Sequence, residues 1–281
     1  MSDLHSINEA INKKAGRKLL PSIAVSLSLI ALVGFTLSYQ REIFAIVVAI
    51  AVILGLRELV RAFAARGIVI SFNTLSLAAI GLSYAAWVGG VAGLAVATAI
   101  AFPLLLIRAL VQGPDGFVAK ATATTFGLLY LPFLAGFLIL LARPSTGFQR
   151  VMTFMVLVGC NDTFGYIVGV LLGKHPLVPK ISPKKSWEGL AGSTIFTMIG
   201  GCLAFKYIMD MHWWIGIIVG LMIVFTATCG DLIESAMKRD MSLKDMGTLL
   251  PGHGGILDRL DSVVLSAPAL WLALELVKHF L

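Results

Sequence analysis

Uninterrupted apolar stretches, each close to the length a helix needs to cross a membrane, recur from one end of this chain to the other. About 20 consecutive apolar residues carry a helix through the ~30 Å hydrocarbon core, whereas a membrane barrel needs short segments of alternating polarity, which are not seen. Nine spans are predicted, near residues 19–38, 42–57, 68–87, 89–107, 122–142, 150–172, 187–208, 212–236 and 258–279. The expected fold class is therefore all-α: a polytopic integral membrane protein with about nine transmembrane helices. The 13% charged residues fall well below the roughly one quarter of a soluble domain, and no separable soluble segment interrupts the pattern. Residues 1–281 read as one membrane domain, which begins at 1–18 with a polar cytoplasmic segment that no cleavage signal follows.

The net charge of +7 belongs to topology and not to nucleic acid, for which no binding module is visible. With the N-terminus placed in the cytoplasm, 17 of the 22 lysines and arginines fall on that side, which favours this orientation. The expected location is the inner (cytoplasmic) membrane, with the polar loops between the later spans facing the cytoplasm. The three cysteines, Cys160, Cys202 and Cys229, lie inside apolar stretches and argue for neither a disulfide framework nor a zinc site.

Polar groups inside spans are costly and usually face a cavity or a partner. Asn161 and Asp162 sit near the middle of the sixth span, and Asp231 and Glu234 lie in the last turns of the eighth. Asp231, Glu234 or Ser235, and Lys238 share one helical face, and Asp258, Asp261 and Ser262 are similarly related at the start of the ninth span. Gly165, Gly169 and Gly173 recur every fourth residue, a pattern for close helix packing.

Between the last two spans runs a dense polar segment, Ser235 to Ser262. It holds cations at Lys238, Arg239, Lys244 and Arg259, carboxylates at Asp240, Asp245, Asp258 and Asp261, and a bend at Pro251-Gly-His253-Gly-Gly255. Carboxylate oxygens suit Mg2+, which uses one or two protein carboxylates and keeps several waters. Asp231 and Asp258 are expected to approach the metal. His253 is open to three roles: general base, hydrogen-bond donor to phosphate, or holding the loop. Upstream, ISPKKS (181–186) offers Lys184 and Lys185 beside an expected helix start at Ser182 and Pro183. Phosphate binding and a purely topogenic role both fit that segment.

The segment resembles the signature of the phosphatidate cytidylyltransferase family, also called CDP-diacylglycerol synthases. Ser235, Lys238, Arg239, Lys244, Asp245, Gly247, Pro251, His253, Gly254, Gly255, Asp258, Arg259 and Asp261 stand at the motif's spacing. The resemblance extends to CGDLIES (229–235), NDTFGYIVG (161–169) and ISPKKSWEG (181–189), so that residues 159–262 contain the catalytic motifs. Gly165 stands where many relatives carry alanine. The resemblance implies transfer of CMP from CTP to phosphatidic acid, giving CDP-diacylglycerol and pyrophosphate with Mg2+, and it implies a homodimer in the lipid bilayer. It places Asp231 and Asp258 at the metal, and Lys238, Arg239, His253, Asp258 and Arg259 in catalysis. Ser182, Lys184, Lys185, Ser235, Lys244, Asn161 and Asp162 become substrate-binding residues. The rivals are another CTP-dependent lipid enzyme, such as a polyprenol kinase, and a transporter using the intramembrane carboxylates as an ion path.

Overall fold

The structure, a computed structural model, describes residues 28, 31–247 and 254–280. Eight α-helices dominate it: α1 (Arg41–Ala65), α2 (Phe72–Val111), α3 (Phe117–Leu128), α4 (Leu134–Ala142), α5 (Gly147–Leu172), α6 (Trp187–Tyr207), α7 (Trp213–Asp240) and α8 (Leu257–Phe280). Residues 31–39 are also helical. A π-helical turn at Leu129–Phe133, containing Pro132, joins α3 to α4 as a single apolar span.

Among the described residues seven helices are long and apolar enough to cross a membrane, not the nine expected. The first expected span falls largely on residues outside the described set. The third and fourth are both contained in α2, whose 40 residues would reach about 60 Å if straight, twice the hydrocarbon thickness. The helix instead breaks at Gly90, where φ is 63°, a left-handed value that glycine adopts without steric cost. Beyond the break the chain folds back so closely that a Cβ on Gly93 would overlap the Ala85 carbonyl. Arg143, just past α4, closes the reversal by donating from Nε to the Trp87 carbonyl at 2.7 Å and from Nη2 to the Val88 carbonyl at 3.0 Å. These carbonyls are the ones a helix end leaves without partners.

A second correction concerns residues 182–186. Ser182–Ser186 is not a helix start but strand β2, paired antiparallel with β1 (Pro176–Val178) in a hairpin between α5 and α6. The helix begins later, at Trp187, because Ser186 is its N-cap and accepts from the Gly189 amide at 3.1 Å. This hairpin is a departure from an all-α fold.

Helices α5 to α8 pack in sequence as neighbours, while α1 to α4 form the rest of the core around Leu56, Leu59, Leu75, Leu131, Ile139 and Leu141. The C-terminal part of α5, the start of α6, the end of α7 and the start of α8 converge at one end of this bundle. The polar residues singled out in the sequence lie there.

Candidate functional site

Helix α7 brings Asp231, Glu234, Ser235 and Lys238 onto one face through the three- and four-residue spacing of its turns. That face meets the start of α8 across Gly230, where a Cβ would overlap the backbone carbonyl of Asp261 and lie 3.2 Å from Cα of Ser262. The glycine therefore lets two backbones approach to contact, and the carboxylates beside the crossing are drawn together. Ligand atoms of Asp231, Glu234 and Asp261 lie within 4.8 Å of one another. Asp231 is nine residues from the end of α7, so the cluster is sunk about 14 Å along the helix from that end.

Glu234 is 1% exposed, and its Oε1 has no hydrogen-bond partner among the described residues. A buried carboxylate oxygen without a partner is unfavourable unless a cation or donor completes it. Three converging carboxylates with one such oxygen make a hard, all-oxygen donor set, which fits Mg2+.

Asp258, expected beside Asp231 at the metal, lies next to this cluster and is linked to Glu234 through Lys238. Its Oδ1 accepts from Lys238 Nζ at 3.0 Å, while its Oδ2 accepts from the amides of Gly255 at 2.7 Å and Met246 at 3.1 Å. The bond from Gly255, three residues upstream, is the backward reach of a capping-box acid, so Asp258 is occupied in holding its own helix start and the preceding loop. Asp261, one turn further into α8, takes the position at the cluster. Lys238 Nζ also reaches Glu234 Oε2 at 2.5 Å, which makes this lysine the bridge between the two acids.

The second cation is Lys185, on β2, whose Nζ lies 2.7 Å from Asp231 Oδ2. Ser235 Oγ is 3.4 Å from the other oxygen of Asp231. The hairpin is held over α7 by Arg239, which donates from Nε to the Ile181 carbonyl at 3.3 Å. Its base is held by Glu188, which accepts from the amides of Lys174 and His175 and meets His175 Nδ1 at 2.6 Å. Lys184 is exposed on β2, and Ser182 is half-buried at its start.

From α5, Asn161 Nδ2 donates to Asp162 Oδ1 at 2.9 Å, and Ser262 on α8 donates to Asp162 Oδ2 at 3.2 Å. These bonds join the α5 pair to the helix that carries Asp261. Asn161 is buried, with Oδ1 unpartnered among the described residues, whereas Asp162 is exposed. Lys244 is exposed on the loop after α7, and Arg259 sits half-buried in the first turn of α8. His253 lies outside the described residues.

One residue of this site escaped the sequence reading. Glu58 on α1, 6% exposed, accepts from the amides of Ile256 at 3.1 Å and Leu257 at 2.9 Å, the first groups of α8. The second expected span ends at residue 57, so Glu58 falls just outside it and is assigned no role there. In the structure α1 continues to Ala65 and carries Glu58 inside, where an intramembrane carboxylate is itself the signal of a functional role.

The chain matches the cytidylyltransferase family over residues 22–277. A phosphatidate cytidylyltransferase of Mycobacterium leprae is 38% identical over 280 residues, covering 94% of this chain and 90% of the relative. The protein of the same name from Mycobacterium bovis is 35% identical over 277 residues, with the same two coverages of 94% and 90%. One from Staphylococcus haemolyticus is 34% identical over 203 residues, 71% of this chain and 76% of the relative. By its match across the chain and its likeness to these relatives, this protein belongs to the cytidylyltransferase family.

Proposed function

We propose that the protein is a phosphatidate cytidylyltransferase: it transfers CMP from CTP to phosphatidic acid, yielding CDP-diacylglycerol and pyrophosphate. Family membership and the shared name of its full-length relatives support the reaction. The observation that carries the chemistry is the meeting of Asp231, Glu234 and Asp261 with Lys185 and Lys238 at one site in a membrane chain. We place the site on the cytoplasmic face of the inner membrane, since Lys174, Lys180, Lys184, Lys185, Lys238, Arg239 and Lys244 gather at that end. CTP then arrives from solution and phosphatidic acid from the adjoining leaflet.

An oxygen of the lipid phosphate attacks the α-phosphorus of CTP. A new phosphorus–oxygen bond forms, the α–β anhydride bond breaks, and pyrophosphate leaves. A phosphate monoester is largely ionised near neutrality, so the attack needs little help from a base. Mg2+ held by Asp231, Glu234 and Asp261 would supply charge neutralisation on the reacting and leaving phosphate oxygens. Lys238 fixes Glu234 against Asp258 and keeps the buried acids from repelling one another. Lys185 balances Asp231 and, with Lys184 and Ser182, lines the side from which phosphates come. Arg239, Lys244 and Arg259 offer further hydrogen-bond donors to phosphate, a role also assigned to His253, and Ser235, Asn161 and Asp162 are assigned to substrate binding. Positioned charge of this kind is the largest catalytic term in most phosphoryl-type transfers.

The test is the purified chain with CTP, phosphatidic acid and Mg2+ in mixed micelles, read by lipid mass spectrometry and pyrophosphate release. CDP-diacylglycerol formed from CTP in preference to the other nucleoside triphosphates is expected. Free CDP with a phosphorylated lipid would instead identify a kinase. The homodimer implied by the resemblance is part of this reading and is tested by light scattering of the detergent-solubilised protein.

A further inference from the structure

We propose that Glu58 is a positioning residue of the transferase site: from the N-terminal half of the chain, its carboxylate sets where α8 begins and thereby where Asp258 and Asp261 stand. This rests on the function proposed above.

The sequence at the start of α8, Gly254-Gly255-Ile256-Leu257-Asp258, has no serine, threonine, asparagine or aspartate at the position that would cap the first amides. A helix start without such a residue leaves its leading N–H groups unsatisfied, a heavy penalty away from water. Glu58 supplies the missing acceptors from α1, with Oε1 taking Ile256 N and Oε2 taking Leu257 N. One carboxylate thus receives two successive amides at the positive end of the helix dipole, an arrangement that fixes the axial position and the rotation of the first turn.

The same carboxylate also sets both ends of the polar loop. A Cβ on Gly247 would overlap Glu58 Oε1, and one on Gly255 would overlap Oε2. Gly247 and Gly255 therefore both lie against this one side chain. From the other side Asp258 takes the amides of Met246 and Gly255 and the ammonium of Lys238. Glu58 and Asp258 hold the loop base between them. Glu58 touches none of the proposed metal-binding oxygens, so it acts through the placement of Asp261 one turn away.

Two readouts on Glu58→Gln in detergent-solubilised full-length protein test this. Glutamine keeps the volume but offers a single carbonyl oxygen, so one of the two amides loses its acceptor. Hydrogen exchange in the peptide covering 254–262 should quicken by about fivefold, the effect of losing one cap, with α5 and α6 peptides unchanged. In steady-state assays the magnesium concentration for half-maximal turnover should rise by about tenfold, the usual scale for a residue that orients metal ligands, while KM for phosphatidic acid stays within twofold. Unchanged exchange overturns the cap. Faster exchange with an unshifted magnesium midpoint reduces Glu58 to a structural residue and overturns the proposal. If Glu58→Gln does not fold, Gly247→Ala displaces the carboxylate with Glu58 intact and should raise the same midpoint; no shift there overturns it equally. Wild-type turnover separates the two failures: wild-type protein that makes no CDP-diacylglycerol overturns the functional reading, whereas an active wild type with an unshifted variant overturns the role of Glu58 alone.

Discussion

Gly230 on α7 and Asp261 on α8 touch backbone to backbone, and no side chain larger than hydrogen fits between them. The carboxylate cluster exists because of that contact, since Asp231 follows the glycine directly and Asp261 supplies both the touching carbonyl and the third acid. Gly230→Ala is expected to push α8 off α7 and lower turnover by about 100-fold, the scale on which a misplacement of one ångström acts. Membrane insertion should survive. Near-normal kcat in the variant would show that the crossing does not set the site.

Asp231→Asn and Asp258→Asn separate the acid proposed to hold metal from the acid that holds the loop. Asp231 has a 42% exposed side chain and lies among other carboxylates, so its neutralisation should abolish magnesium-dependent turnover with Tm unchanged or raised. Asp258 is 6% exposed and paired with Lys238, and removing one partner of such a pair costs about 3–5 kcal/mol. Asp258→Asn should therefore lose Tm as well as turnover. Paired thermal melts and product assays decide it; equal Tm losses in the two variants would reject the division.

Lys185→Ala removes the cation from Asp231 and leaves the β-hairpin otherwise intact. The expected result is an increase of about tenfold in KM for CTP or phosphatidic acid, reflecting loss of one charge-assisted phosphate contact. Initial-rate kinetics in both substrates check it. Unchanged constants would return the lysine to a purely topogenic role.

Chelation by EDTA should stop turnover completely, and added Mg2+ should restore it without refolding, because the helices around the cluster are held by their own packing. Circular dichroism during the cycle should stay constant. Turnover that persists after exhaustive chelation would remove the metal from the mechanism.

Hydropathy and residue spacing made the membrane class and the convergence of the later spans legible, because twenty-residue apolar runs and i, i+3, i+4 faces leave few alternatives. The different surroundings of Asp258 and Asp261 were not legible. Both acids occupy adjacent turns of one helix, and only the folded backbone brings the amides of Gly255 and Met246 to the first and the carboxylates of α7 to the second. Glu58 was hidden for a related reason: a carboxylate one residue past an assumed span end looks solvated until the helix is seen to continue. At Ser182–Ser186 the Ser-Pro pair suggested a helix start, but the true cap was the second serine, Ser186, and the residues before it pair with Pro176–Val178. The separate spans expected at 68–87 and 89–107 anticipated a division inside α2, although not the arginine that closes it.

That arginine gives the first half of the protein an order of assembly. The carbonyls of Trp87 and Val88 are made 55 or more residues before their donor, Arg143, leaves the ribosome. Until then those carbonyls lack this donor, and an unpaired carbonyl is costly in hydrocarbon, so the tip of the α2 hairpin is favoured at an aqueous boundary. The hairpin is completed when the chain has threaded back through α3 and α4, which makes the later span the latch of the earlier one.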